Sequence, residues 1–356
     1  MSQAIAITGL GMRTSLGDDA IGSCAALRAG LSCAQELPQF TVLNEDGTPE
    51  HPTGHPVQEA QGFRGQARLL ALGRSALNEC ITRSTLHTEH RERLGLFLAL
   101  PPVSGSPNPN HSESRKPILA RQLARLARLP VREELLREFH AGHAGMALAL
   151  EQATRELISE RLDFCIVGGI DSLLEASTLQ RLHDQRRLKS EDAPDGLQPG
   201  EAAAFVLLER LKYAQRRGTS IQALLGGAVA LRDEVDVSRR VPGVVLGRAV
   251  ADLLESSQRP ESHWLISDIN GEPGRAMEYG QCLTRLCAEH PGLRQAPLWY
   301  PATNLGDTGA ASAVIAMCAA VRAFARDYAP AEAGLILSSS DGAERGAIRV
   351  TRFLPS

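Results

Sequence analysis

Short apolar runs of strand length alternate with helical stretches along most of this chain, and no other feature restricts the fold as strongly. AIAITGLG (4–11), RLGLFLAL (93–100), DFCIVGGID (163–171), WLISDIN (264–270), PLWYPATN (297–304) and AGLILSS (333–339) read as strands. Residues 18–28, 66–81, 118–129, 144–162, 243–257, 274–289 and 309–327 carry apolar residues at helical spacing. Apolar strands alternating with helices imply α/β layers around a largely parallel sheet buried on both faces. The helix AGMALALEQATRELISERL (144–162) is apolar all round in its first half, so that half is expected to be buried. A second series of elements begins at Ile221 and suggests a duplication, while the lack of a 20–50-residue period argues against a solenoid.

Two stretches break the pattern. Residues 34–66 are rich in Pro, Gly and polar residues and read as a long surface excursion, and 101–117 reads as a loop. The arginines of ILARQLARLARL (118–129) recur at helical spacing and are expected to face water.

A chain of 356 residues with 43% hydrophobic residues can bury a large core. A net charge of -3 with mixed signs offers no basic surface for nucleic acid and no polybasic anchor for an anionic membrane. No stretch approaches the roughly 20 apolar residues of a membrane span, and MSQAIAITGLGM lacks a basic region followed by a long apolar run, so a cytoplasmic protein is expected. The seven cysteines lack metal-ligand spacing and read as reduced core residues; no metal and no cofactor is expected.

Four segments in order resemble the β-ketoacyl synthase family of the thiolase superfamily. AITGLGMRTSLGDDAIGSCAALRAGLS (6–32) resembles its opening strand, Gly turn and helix, and DFCIVGGID (163–171) the strand after the nucleophile helix. GLQPGEAAAFVLLE (196–209) resembles its Gly-Glu-Gly-Ala segment, and ATNLGDTGAASAVIA (302–316) its Asn-Ile-Gly-His loop and Ala-rich helix. The resemblance implies a duplicated five-layer α-β-α-β-α fold with mixed, mostly parallel sheets. It divides the chain into an N-terminal half, 1–215, and a C-terminal half, 216–356.

The family condenses acyl chains with a cysteine at a helix N-terminus and two histidines. Counting back from Gly168-Gly169 places His143 at the cysteine position, and the histidine positions match Asn270 and Asp307. A carboxylate at the second histidine position would repel the enolate that the reaction must stabilise. Leu197 stands where the family has a gating Phe, and Ser339 and Ser340 fall in the stretch matching its oxyanion loop.

These departures point to a non-catalytic, ketosynthase-like partner subunit, similar in principle to a chain-length factor, or to a scaffold. Such a protein is expected to form a homodimer, or a heterodimer with an intact ketosynthase, with an acyl carrier protein as a further partner. A second reading is an adaptor or chaperone-like accessory protein that binds an effector, of the kind found beside bacterial secretion genes. A third is an acyltransferase or thioester hydrolase using His143 with Asp307 as a general base.

Overall fold

The computed structural model of the chain describes residues 4–84, 86, 93–103, 116–235, 241–255 and 262–354. In the first half, β1 (Ile5–Arg13) leads to α1 (Ala20–Arg28), then to the two-residue strands β2 (Gln35–Glu36), β3 (Val42–Leu43), β4 (Pro49–Glu50) and β5 (Thr53–Gly54). α2 (Gly65–Arg83), β6 (Leu94–Ala99), α3 (Ile118–Leu126), β7 (Leu136–Phe139), α4 (Gly145–Ile158), β8 (Phe164–Ser172), α5 (Ala176–Asp184), β9 (Glu201–Arg210) and α6 (Leu211–Arg216) follow. The second half holds β10 (Ala223–Arg232), α7 (Val244–Glu255), β11 (His263–Ser267), α8 (Pro273–Glu289), β12 (Leu298–Trp299), α9 (Ala302–Leu305), α10 (Ser312–Ala325), β13 (Ala333–Ser339) and β14 (Glu344–Thr351).

Ten strands form one mixed sheet in the order β12-β11-β13-β14-β10-β1-β9-β8-β6-β7. The outer triplets β7-β6-β8 and β12-β11-β13 are parallel, and the pairings between them are antiparallel. Numbered within its own half, each set of five runs in the order 3-2-4-5-1, so the two halves repeat one topology and meet where β1 pairs with β10.

Alternation along the strands builds the layers. Leu94, Leu96 and Leu98 of β6 face outward onto Leu72, Leu77 and Leu123 of α2 and α3, whereas Phe97 and Ala99 face inward. Leu265, Leu335 and Leu337 likewise cover α7 and α8, while Trp264, Ile266 and Ile336 turn inward. The inward faces of both halves close on α4 and α10, giving the order α-β-α-β-α. The expected burial of the first half of α4 holds, with Met146, Ala147, Ala149 and Leu150 all enclosed.

Two expectations need correction. Residues 34–66 are not a bare excursion: Leu37, Phe40 and Val42 are buried against Leu179, Leu182, Leu188 and Leu197 in a separate apolar cluster. Their strands are two residues long, too short to leave a periodicity in the sequence. The strand expected over 297–304 ends at Trp299, because Pro301 sits at φ -56°, ψ -28° and starts α9. Most of the loop expected at 101–117 lies outside the described residues, as do residues 256–257 of the helix expected at 243–257.

Candidate functional site

His143 lies in a single 3-10 turn, Gly142–Ala144, that feeds directly into α4. The turn is tied to β6, with Leu100 N donating to Phe139 O and Gly142 N to Leu100 O. Gly142 adopts φ +61°, a conformation that favours glycine. Asp307 follows Gly306 at the end of α9, and its backbone is pinned at both atoms: Asp307 N donates to Gln198 O at 2.7 Å and Gly200 N donates to Asp307 O at 2.8 Å. The segments matched to the Gly-Glu and Asn-Ile-Gly-His motifs are therefore hydrogen-bonded neighbours.

His143 Nε2 and Asp307 Oδ1 are 2.7 Å apart. Oδ1 also accepts the Gly309 N–H at 2.8 Å, and Oδ2 accepts Asn270 Nδ2 at 2.7 Å. Asn270 reaches Asp307 rather than the imidazole, and its Nδ2 also donates to Glu272 Oε2 at 2.8 Å. Asp307 thus gathers the three predicted positions, itself only 2% exposed.

The sequence reading missed the cation beside them. Arg275, in the first turn of α8, places Nη2 3.3 Å from His143 Nδ1. Its Nη1 donates to Asp268 Oδ2 at 3.0 Å and to Ser339 O, and its Nη2 to Asp341 Oδ1 at 3.0 Å. Outside it, Arg187 grips Glu272 at 2.6 and 3.0 Å and Asp341 at 2.8 and 3.0 Å, joining the loop after α5 to the second half. A clue to Arg275 was available: a positive charge in a helix's first turn opposes the macrodipole unless acids hold it there.

Ser340 Oγ donates to Ala141 O and accepts the Ala144 N–H at 3.0 Å, so an internal hydroxyl occupies the amide that follows His143. Ser339 joins through its backbone, its N–H donating to Asp268 Oδ2 at 2.7 Å. Leu197 is placed elsewhere, in the apolar cluster with Leu37 and Leu188. The void beside Asp268, Thr308 and Ser338 is about 10 Å³, room for one water at most.

Burial opposes charge on every group here, and the pairings decide the outcome. Burial and Arg275 work against a second proton on His143, but Asp307 and Asp268 outweigh them and raise its pKa above the ordinary histidine value. Burial would lift Asp307 too, yet His143, Arg275 and Asn270 hold its carboxyl far below the usual range. Asp341 falls to about 2 because Arg187 and Arg275 overcome its burial. Asp171 is pushed up to about 6 by burial, although it accepts Ala310 N and Ser172 N.

A guanidinium donates to an imidazole nitrogen only when that nitrogen is unprotonated. The Arg275 contact therefore belongs to the neutral ring, with Nε2–H on Asp307 and Nδ1 accepting. Once Nδ1 is protonated the two donors face each other and that contact must open.

Among the described residues no cluster of three or more His, Cys, Asp or Glu side chains could hold a metal. Cys165 is buried in β8, and burial pushes its thiol well above the ordinary value, away from nucleophilic use. No helix of the described residues is long and apolar enough to cross a membrane.

Residues 141–214, from the His143 turn through α4, β8 and β9, match the family described as "Beta-ketoacyl synthase, N-terminal domain". The chain is similar to a phenolphthiocerol/phthiocerol polyketide synthase of Mycobacterium tuberculosis, 30% identical over 194 residues, which is 51% of this chain and 9% of that protein. It is 25% identical over 197 residues to the polyketide synthase GfsE of Streptomyces halstedii, 52% of this chain and 5% of that protein. Among solved structures it resembles a ketosynthase from module 6 of the bacillaene synthase of Bacillus subtilis 168, with TM-score 0.79, 14% identity, and 99% of this chain and 72% of that chain covered. The fold is that of the ketosynthases, and residues 141–214 match their N-terminal domain.

Two further ketosynthase structures match end to end. The ishigamide ketosynthase/chain length factor gives TM-score 0.78 at 15% identity, with 99% of this chain and 100% of that chain covered. A type II acyl-carrier protein in complex with its ketosynthase gives 0.77 at 13% identity, with 99% and 100% covered. By contrast, the chain spans less than a tenth of the length of the two polyketide synthases named above.

Proposed function

We propose that this ketosynthase-like chain is a non-catalytic partner subunit or scaffold in which a self-satisfied ion network stands in the place of the condensing site. One observation carries the reading: in the neutral ring both nitrogens of His143 face protein groups, Nε2 on Asp307 and Nδ1 on Arg275, and in the charged ring both carry protons. A general base needs a free lone pair aimed at its substrate. The Ser340 hydroxyl on Ala144 N supports the same reading, because it occupies an amide that an acyl thioester's oxyanion would need free.

The 2.7 Å His143–Asp307 contact favours the alternative of an acyltransferase or thioester hydrolase. It ranks second because that chemistry would require Arg275 to leave Nδ1 and Ser340 to leave the amide. Heterodimerisation with an intact ketosynthase, docking of an acyl carrier protein and a boundary between residues 215 and 216 belong to the proposal as well.

Affinity purification of the tagged chain from its native host, with mass spectrometry of bound proteins and acyl species, tests it. An intact ketosynthase recovered with the chain, with no acyl adduct and no hydrolysis of acyl thioesters by the pure chain, is the expected result. Hydrolysis that disappears in His143→Gln would establish the enzymatic reading. Recovery of a secretion effector alone would establish the adaptor reading.

A further inference from the structure

A second cavity lies away from the His143–Asp307 network and shares no residue with it. It measures about 500 Å³, within the size range of small-molecule sites, and forms where α1, the end of α2, the connection into β10, the end of α10 and the chain's tail converge. Three arginines from three separate elements line it: Arg83, Arg322 and Arg352. Ile21, Phe324 and Phe353 are among its apolar lining residues, and no lining residue is an acid.

Two of the arginines are partly engaged at the rim. Arg83 Nη2 donates to Asp19 Oδ2 at 2.8 Å and its Nε lies 3.1 Å from Glu79 Oε1; Arg352 Nη1 donates to Asp327 Oδ1 at 2.8 Å and its guanidinium lies 5.7 Å from the Phe324 ring centroid. Each retains further N–H donors. Among the described residues no carboxylate pairs with Arg322, which is half-buried in the same lining. Arg322 is thus the guanidinium in the cleft whose charge is not balanced by a paired carboxylate, while Arg83 and Arg352 offer their remaining N–H donors beside apolar side chains.

We propose that this cleft binds a soluble amphipathic anion, a phosphate or carboxylate head carried on a short apolar body. Guanidinium groups offer planar pairs of donors that match such heads in bidentate fashion, and convergence of three of them favours an anion over a neutral group. Ile21, Phe324 and Phe353 cover the apolar body, and Ser220 and Gln222 add polar groups at the wall. The inference is independent of whether the chain is catalytic.

The test titrates the full chain with octyl phosphate by isothermal calorimetry, below its micellar range, with octanol and inorganic phosphate as comparators. Saturable binding of octyl phosphate is expected, with each comparator weaker because it lacks one of the two recognised parts. Arg322→Gln is expected to weaken octyl phosphate by about tenfold to a hundredfold, the range for losing a charge-assisted contact. Ile221→Trp, which narrows the cleft without altering charge, is expected to weaken it too and provides a second reading should Arg322→Gln fold poorly. Equal affinity in wild type and both folded variants, or octanol binding as tightly as octyl phosphate, overturns the proposal. Binding to phosphatidylglycerol vesicles without binding of soluble octyl phosphate overturns it in favour of a membrane surface.

Discussion

His143 and Asp307 are 164 residues apart, and their contact depends on two backbone loops held by hydrogen bonds rather than on side-chain packing alone. Asp307 satisfies His143, Asn270 and the Gly309 amide at once, so removing it leaves several buried partners unpaired. Asp307→Ala is expected to cost about 3–5 kcal/mol, the range for breaking a buried ion pair on one side, read as a lower urea midpoint at unchanged slope. pH acts through the same pair. His143 holds its proton more tightly folded than unfolded, so that contribution is full below the ordinary histidine value of about 6.5 and lost as pH rises through the raised folded value. Asp307 runs the other way: its contribution is present above the ordinary Asp value and is lost as pH falls through its depressed folded value. The stability gap between wild type and His143→Gln is therefore expected to be larger at pH 5.5 than at pH 8.5 in urea melts. A gap independent of pH would mean that His143 does not gain a proton on folding.

Elements reach the site through close backbone contacts that only glycine allows. A Cβ on Gly169 of β8 would fall 2.2 Å from Ala310 O, in the turn that carries Asp307 into α10. Gly169→Ala is expected to push that turn away and destabilise the protein by several kcal/mol, in the manner of an overpacked core. Gly280 is the control. It lies exposed in the middle of α8, where an added Cβ would meet nothing within 4 Å, so Gly280→Ala is expected to add about 0.5–1 kcal/mol through helix propensity. Thermal melts of the two variants should move in opposite directions. The Gly-Gly pair of β8 was legible in the sequence as part of a strand, but its need for small residues was not, because the atoms it must clear are distant in sequence: Phe205 and Ala204 of β9 for Gly168, and Ala310 and Ala311 of the other half for Gly169.

At the scale of the molecule, neither half owns its central layer. α4 belongs to the first half yet packs on β10 and β14 of the second as well as on β6 and β8. One apolar cluster takes in Met146, Leu150 and Val167 from the first half together with Ile315, Ile336 and Ile348 from the second. A fragment comprising residues 1–215 would expose the second-half side of α4 and is expected to be insoluble or to lack near-ultraviolet circular dichroism when expressed alone. A soluble, cooperatively unfolding fragment would show that the first half is an independent domain. The repeated 3-2-4-5-1 strand order makes the question sharp, since repeated topology by itself would permit two separate units.

Alternation of strand and helix, the apolar start of α4, the two series of elements and the identity of the residues at three site positions all follow from local patterns, and the sequence determines them without help from the fold. Local periodicity works there because burial repeats every second residue on a strand and about every 3.6 on a helix. Short pieces escape it: β2 to β5 are two residues each, and Leu37, Phe40 and Val42 find their partners only around α5. The state of the site escapes it as well. Whether His143 keeps a free nitrogen depends on Arg275, Asp268, Asp341 and Arg187, which come from distant parts of the chain and meet only after both halves close. Sequence determined which residues stand at the three candidate positions; tertiary structure alone decided that they are paired with one another, because charge pairing is set by distances of a few ångströms that no spacing along the chain encodes.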